Sequence, residues 1–102
     1  MHLSFREEIS KIEDIYDNIR TANSIDFDGK TFCRNDIVLN KEANIKLTII
    51  GFGVSIIDDE PALAIYLDYL PILKKINHTP EFVLAKYFSD KYEILNNVEK
   101  IQ

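Results

Sequence analysis

Residues 45 to 57, Ile45-Lys-Leu-Thr-Ile-Ile-Gly-Phe-Gly-Val-Ser-Ile-Ile57, decide the fold. Their β-branched enrichment and period-two alternation mark a central strand. The apolar positions run Ile45, Leu47, Ile49 and then Phe52, Val54, Ile56, so the alternation changes phase near Ile50 and Gly51. One extra residue there, a bulge eased by Gly51 or Gly53, keeps both halves facing one core. The competing reading is a tight hairpin at Gly51-Phe52-Gly53, which leaves Ser55 to Ile57 too short to pair well.

Upstream of this strand, Asp28-Gly29 supplies the positive backbone angles of a two-residue hairpin turn, which sets Phe27 opposite Lys30 and Ile25 opposite Phe32. Ile37 to Leu39 is a short strand and Lys41 to Asn44 a polar loop. Nearer the N-terminus, Ser4 and Glu7 form a capping box, and Phe5, Ile9, Ile12, Ile15, Tyr16 and Ile19 recur at helical steps. A first helix is expected from Phe5 to Arg20.

Downstream, Asp58-Asp59-Glu60-Pro61 is a turn or a helix start. Ala62 to Leu70 reads as a strand by its large and small alternation, with a helix as the rival until Pro71 cuts it short. Pro71 to Ile76 reads as a helical turn. Thr79-Pro80 reads as an N-cap followed by a proline at the first helical position, and Phe82, Leu84, Ala85, Tyr87, Phe88, Tyr92, Leu95 and Val98 carry helical spacing, with a break at Ser89-Asp90. The expected fold is therefore α+β in a single domain over 1–102: an N-terminal helix, an antiparallel β-meander of four to five strands, and one or two C-terminal helices.

The 102 residues carry a net charge of −5, and residues 1 to 60 hold all of it, with twelve acids against seven bases. A field of this sign repels phosphate and disfavours direct nucleic-acid binding, while it attracts a basic protein. No apolar run reaches membrane-spanning length, and the N-terminus lacks the pattern of an export signal. With Cys33 the single thiol, the expected location is the cytoplasm.

Chemistry has few candidates. Cys33 and His78 are the residue types of a nucleophile and base, but nothing local marks either as activated. Asp58 and Asp59 follow directly on the central strand, where metal-dependent hydrolases often place ligands, yet no partner motif completes a site. Asp26-Phe-Asp28-Gly29 departs from a calcium loop in its glycine position and lacks the closing glutamate. Gly51-Phe-Gly53 is half of a dinucleotide fingerprint without a third glycine or a following helix. No cofactor is implied, and the protein is expected not to be an enzyme.

Small, acidic and poor in motifs, the chain resembles, at the level of class only, bacterial toxin-immunity proteins and phage-borne inhibitors, which occlude a basic active site. That resemblance implies a basic partner, such as a toxin nuclease or another nucleic-acid-handling enzyme, met by Glu7, Glu8 and Asp14 of the first helix and by Asp58, Asp59 and Glu60. Two rival readings stand beside it: a homo-oligomeric structural or accessory protein pairing through a strand edge, and a small hydrolase using Cys33 and His78 or a metal at Asp58 and Asp59.

Overall fold

A computed structural model of the chain describes residues 2–5, 15–70 and 80–95. The central strand is β5, Ile45–Ile57, and its register against β6, Glu60–Tyr69, shifts between Ile49 and Gly51. The bulge places Leu47 and Ile49 on the same face as Phe52, all buried, and leaves the extra residue Ile50 exposed. Facing them across β6 are Leu63, Ile65 and Leu67, also buried. Of the segment Ala62 to Leu70, all but Leu70 is thus strand, as its alternation indicated.

Pro61 fits in β6 because of its position. The Ile57 and Glu60 pair closes the turn, so the nitrogen of Pro61, opposite Ile56, points away from β5. On that side the next strand, β7 (Glu81–Leu84), begins its pairing only at Ala64, so no ladder hydrogen bond is lost.

The hairpin of β2 (Ser24–Phe27) and β3 (Lys30–Cys33) has the expected register, Phe27 opposite Lys30 and Ile25 opposite Phe32. Asp28 and Gly29 take φ of 51° and 81°, as a two-residue turn between right-twisting strands requires. After β3 the chain turns through Arg34 and Asn35 (φ 72°) and leaves that sheet. β4, Ile37–Asn40, then pairs with β5.

Here the expected α+β arrangement is corrected. The described residues are mostly strand, in two sheets, with two short helices: α1, Ile15–Thr21, and α2, Phe88–Lys91. The described N-terminal residues open with a strand, β1 (His2–Ser4), running parallel to β2. Of the helix expected from Phe5 to Arg20, residues 6 to 14 lie outside the described residues, as do Pro71 to Thr79.

The closing helix is replaced by β7, a 3₁₀ turn over Ala85–Tyr87, α2, and β8 (Tyr92–Ile94). Local helix propensity amounts to a few tenths of a kcal/mol per residue, roughly, and is outweighed where a sheet edge offers backbone partners. The open side of β6 offers them to Phe82, Val83 and Leu84, and the open side of β4 offers them to Tyr92 and Ile94. Phe88 and Tyr92 keep their four-residue spacing, but they stack as neighbours at the junction of α2 and β8 (centroids 5.5 Å apart).

The expected single meander is likewise two sheets, of order β1-β2-β3 and β7-β6-β5-β4-β8. They share one core, in which Ile25 and Phe32 of the small sheet join Val38, Leu47, Ile49, Phe52, Leu63, Ile65 and Leu67 of the large one, with Ile19, Phe5 and Phe88. Phe32 meets Phe88 edge to face at 5.0 Å.

The two outer strands of the large sheet are joined through side chains, Tyr92 of β8 donating its hydroxyl to Glu81 Oε1 of β7 at 2.5 Å. Tyr69 reaches the same carboxylate at 3.4 Å. Burial first, and then the bond to Glu81, hold the Tyr92 phenol protonated well above its ordinary range.

Arg34 ties α1 to the bulge. Its guanidinium donates to the carbonyls of Ala22 (2.6 Å), Arg20 (2.6 Å) and Ile50 (2.5 Å), satisfying helix-end acceptors and placing a cation where the helix dipole is negative. Among the described residues no helix is long and apolar enough to cross a membrane.

Candidate interaction surface

Alternation along the long hairpin puts Gly51, Gly53, Ser55 and Ile57 of β5, and Ala62, Ala64 and Tyr66 of β6, on the face turned away from the core. Small residues pave it, and the two large rings rise from it. Tyr66 lies over Gly53, where a Cβ would come within 2.7 Å of its ring, so a larger residue there would push the ring aside. Phe82 of β7, opposite Tyr66, stands beside it with ring centroids 6.2 Å apart. Phe82 is 60% exposed and Tyr66 39%.

At the end of the hairpin Ile56 and Ile57 are 55% and 38% exposed. Asp58 and Asp59 form the two-residue turn, both at positive φ (51° and 65°), and Glu60 closes it opposite Ile57. All three acids are exposed, and they form no ion pair among the described residues. A two-residue turn on a ten-residue ladder holds these carboxylates in a fixed position relative to the two isoleucines.

Of the acids picked out from the sequence, Asp58, Asp59 and Glu60 are therefore brought together at one hairpin tip, while Glu7, Glu8 and Asp14 lie outside the described residues. His78 lies outside them too, so the pairing with Cys33 has no described geometry. Cys33 is half-buried at the end of β3, and its backbone N–H donates to the buried carboxylate of Asp36 at 3.3 Å. Among the described residues no group of three or more His, Cys, Asp and Glu side chains is placed to hold a metal ion.

One polar constellation was not legible in advance. His2, on β1, bridges two residues of β2: its Nε2 lies 2.9 Å from Asp26 Oδ2 and its Nδ1 2.6 Å from Ser24 Oγ. In the tautomer that donates from Nε2, Nδ1 accepts the serine proton, and Thr31 donates to the other Asp26 oxygen at 2.7 Å. The Thr31 bond first, and then the His2 bond, lower the Asp26 pKa. The connectivity is that of a serine relay, but the side chains lie on an open sheet surface. Their evident effect is to fasten β1 to β2. Only the pairing of His2 with Ser24 across a parallel ladder reveals it, and sequence spacing carries no such signal.

Compared with protein-family models, with curated proteins and with solved structures, the chain matches none.

Proposed function

We propose that the protein is a small acidic binding protein of the cytoplasm, an inhibitor of immunity or phage type that covers the basic surface of a protein partner. Its partner-facing element is the β5–β6 hairpin. The observation that carries this reading is the hairpin tip, where two exposed isoleucines sit beside three exposed carboxylates that form no ion pair among the described residues. Interfaces combine an apolar centre with a charged rim, and acids on the rim steer a basic partner and speed its approach. Tyr66 and Phe82 extend the apolar part along the outward face and are of the residue types that anchor partners. The single thiol agrees with a reducing compartment.

The test places a photo-crosslinking amino acid at position 57 or 82, and at Thr31 as a control, and identifies what is captured in the native cell. The reading expects one basic protein from positions 57 and 82, absent from the control, that binds the purified chain directly. Capture of acidic proteins, or equal capture from the control, would count against it.

A second reading, a homo-oligomer, draws on β7, which among the described residues is an outer strand of the large sheet and carries the exposed Phe82. The net charge of −5 on each copy opposes it. Sedimentation at low and high salt separates the two, since a dimer held through β7 would strengthen as salt screens that repulsion.

A further inference from the structure

Away from the hairpin tip, three anchored elements converge on one serine. Lys30 closes the β2–β3 turn opposite Phe27. Lys41 follows β4 in a loop held by Asn40, whose side-chain oxygen accepts the N–H groups of Glu42 and Ala43 at 3.1 Å each, while the Lys41 N–H donates to the Lys91 carbonyl at 2.8 Å. Ser89 lies in α2, directly after the buried Phe88.

The Lys30 ammonium donates to the Ser89 hydroxyl, and the Lys41 ammonium donates to the Ser89 carbonyl at 2.8 Å. They border an open groove of about 360 Å³, also lined by Thr31, Glu93 and Ile94.

Two ammonium groups thus meet on a neutral residue. Among the described residues neither has a carboxylate within ion-pair distance, although exposed lysines are free to fan apart and reduce their repulsion. In a chain of net charge −5, two ammonium groups converge here on fixed turns, with Glu93 lining the same groove. Each ammonium has donors beyond the one used on Ser89, and the serine hydroxyl, accepting from Lys30, has its own proton to give.

The geometry points to a small-oxyanion site, with a phosphate group as its ligand, formed by Lys30, Lys41 and the Ser89 hydroxyl. Lysine binds phosphate as a compact charge with several donors and needs no planar fork. Glu93 is the opposing feature, a carboxylate on the same groove that keeps the affinity low. The site is independent of the partner reading above.

Titration of the full chain with inorganic phosphate at low ionic strength, followed by amide NMR shifts, tests it. Saturable shifts around Lys30, Lys41 and Ser89 with Kd of about 1 mM are expected, with acetate weaker. Lys30→Ala combined with Lys41→Ala should weaken binding at least about tenfold, Lys46→Ala should leave it unchanged, and Glu93→Gln should tighten it about threefold. Circular dichroism checks the fold of each variant. Shifts that grow linearly with phosphate, or that persist in the folded double variant, or an unchanged affinity in Glu93→Gln, would overturn the assignment.

Discussion

Two hairpins in this molecule close with the same backbone, and they differ in what they expose. Asp28-Gly29 and Asp58-Asp59 both place two successive residues at positive φ. At the first tip glycine takes the second position, where a side chain costs most; the closing pair is half-buried Phe27 and exposed Lys30, and two pairs further along the ladder Ile25 and Phe32 are fully buried. Turn chemistry accounts for that sequence completely. At the second tip an aspartate sits where glycine would be easier, a third acid follows, and the neighbouring isoleucines are exposed. Turn chemistry alone does not call for that arrangement, and the proposed binding role would account for it.

The contrast is tested most strongly by truncating each hairpin's apolar residues. Phe32→Ala should cost about 3 to 5 kcal/mol and leave the domain near unfolding, whereas Ile57→Ala should cost less than about 1 kcal/mol. Urea unfolding measures both. Comparable losses would mean that the second hairpin tip belongs to the core after all.

Next in size is the bond that joins the outer strands of the large sheet, at the end of β6 remote from the Asp58-Asp59 turn. Tyr92→Phe should cost about 2 kcal/mol, since it removes a charge-assisted bond to Glu81. The Tyr92 phenol titrates higher in the folded chain than in the unfolded one, so its contribution is complete below about pH 10 and declines as pH rises above that. Thermal melts from pH 8 to 11 should therefore show an alkaline loss of stability that is smaller in Tyr92→Phe. An identical alkaline limb in both proteins would reject the assignment.

The smallest change exchanges the tips. Gly29→Asp should destabilise by about 1 kcal/mol, and Asp59→Gly should leave stability unchanged or raise it by about 0.5 kcal/mol. If the second tip serves binding, Asp59→Gly should also slow association with the partner, a gain in stability made at the cost of function. A clear loss of stability in Asp59→Gly would mean that the aspartate is there for the fold.

What could be read from sequence follows the same division between local and distant causes. The Asp28-Gly29 register, the phase change at Gly51 and the strand over Ala62 to Leu70 were legible because turn geometry and alternation are set by neighbouring residues. β1, β7 and β8 were not, because each is strand only by virtue of a distant edge: Leu3 opposite Ile25, Val83 opposite Ile65, Ile94 opposite Val38. The local pattern around β7 and β8 carries helical spacing, which is why one or two closing helices and a single meander were expected. In the candidate surface the acids of the tip were legible as a charged cluster. The exposure of Ile56, Ile57, Tyr66 and Phe82 was not, since alternation assigns apolar residues to a core without saying where that core ends. Arg34 entered the sequence reading only as a charge, and its three carbonyl partners come from elements brought beside it by the fold.

The most direct test of the central claim uses the purified chain and the partner captured by crosslinking, with association rates followed by stopped flow at two salt concentrations. The protein is compared with Asp58→Asn/Asp59→Asn/Glu60→Gln and with Asp90→Asn/Glu93→Gln, a pair of exposed acids away from the hairpin. If the acidic tip steers a basic partner, association slows as salt rises, and the tip variant is slower than the parent chain at low salt by about tenfold and less dependent on salt, while the second variant stays within about twofold of the parent. Association that is indifferent to salt, or two variants affected equally, would contradict the claim.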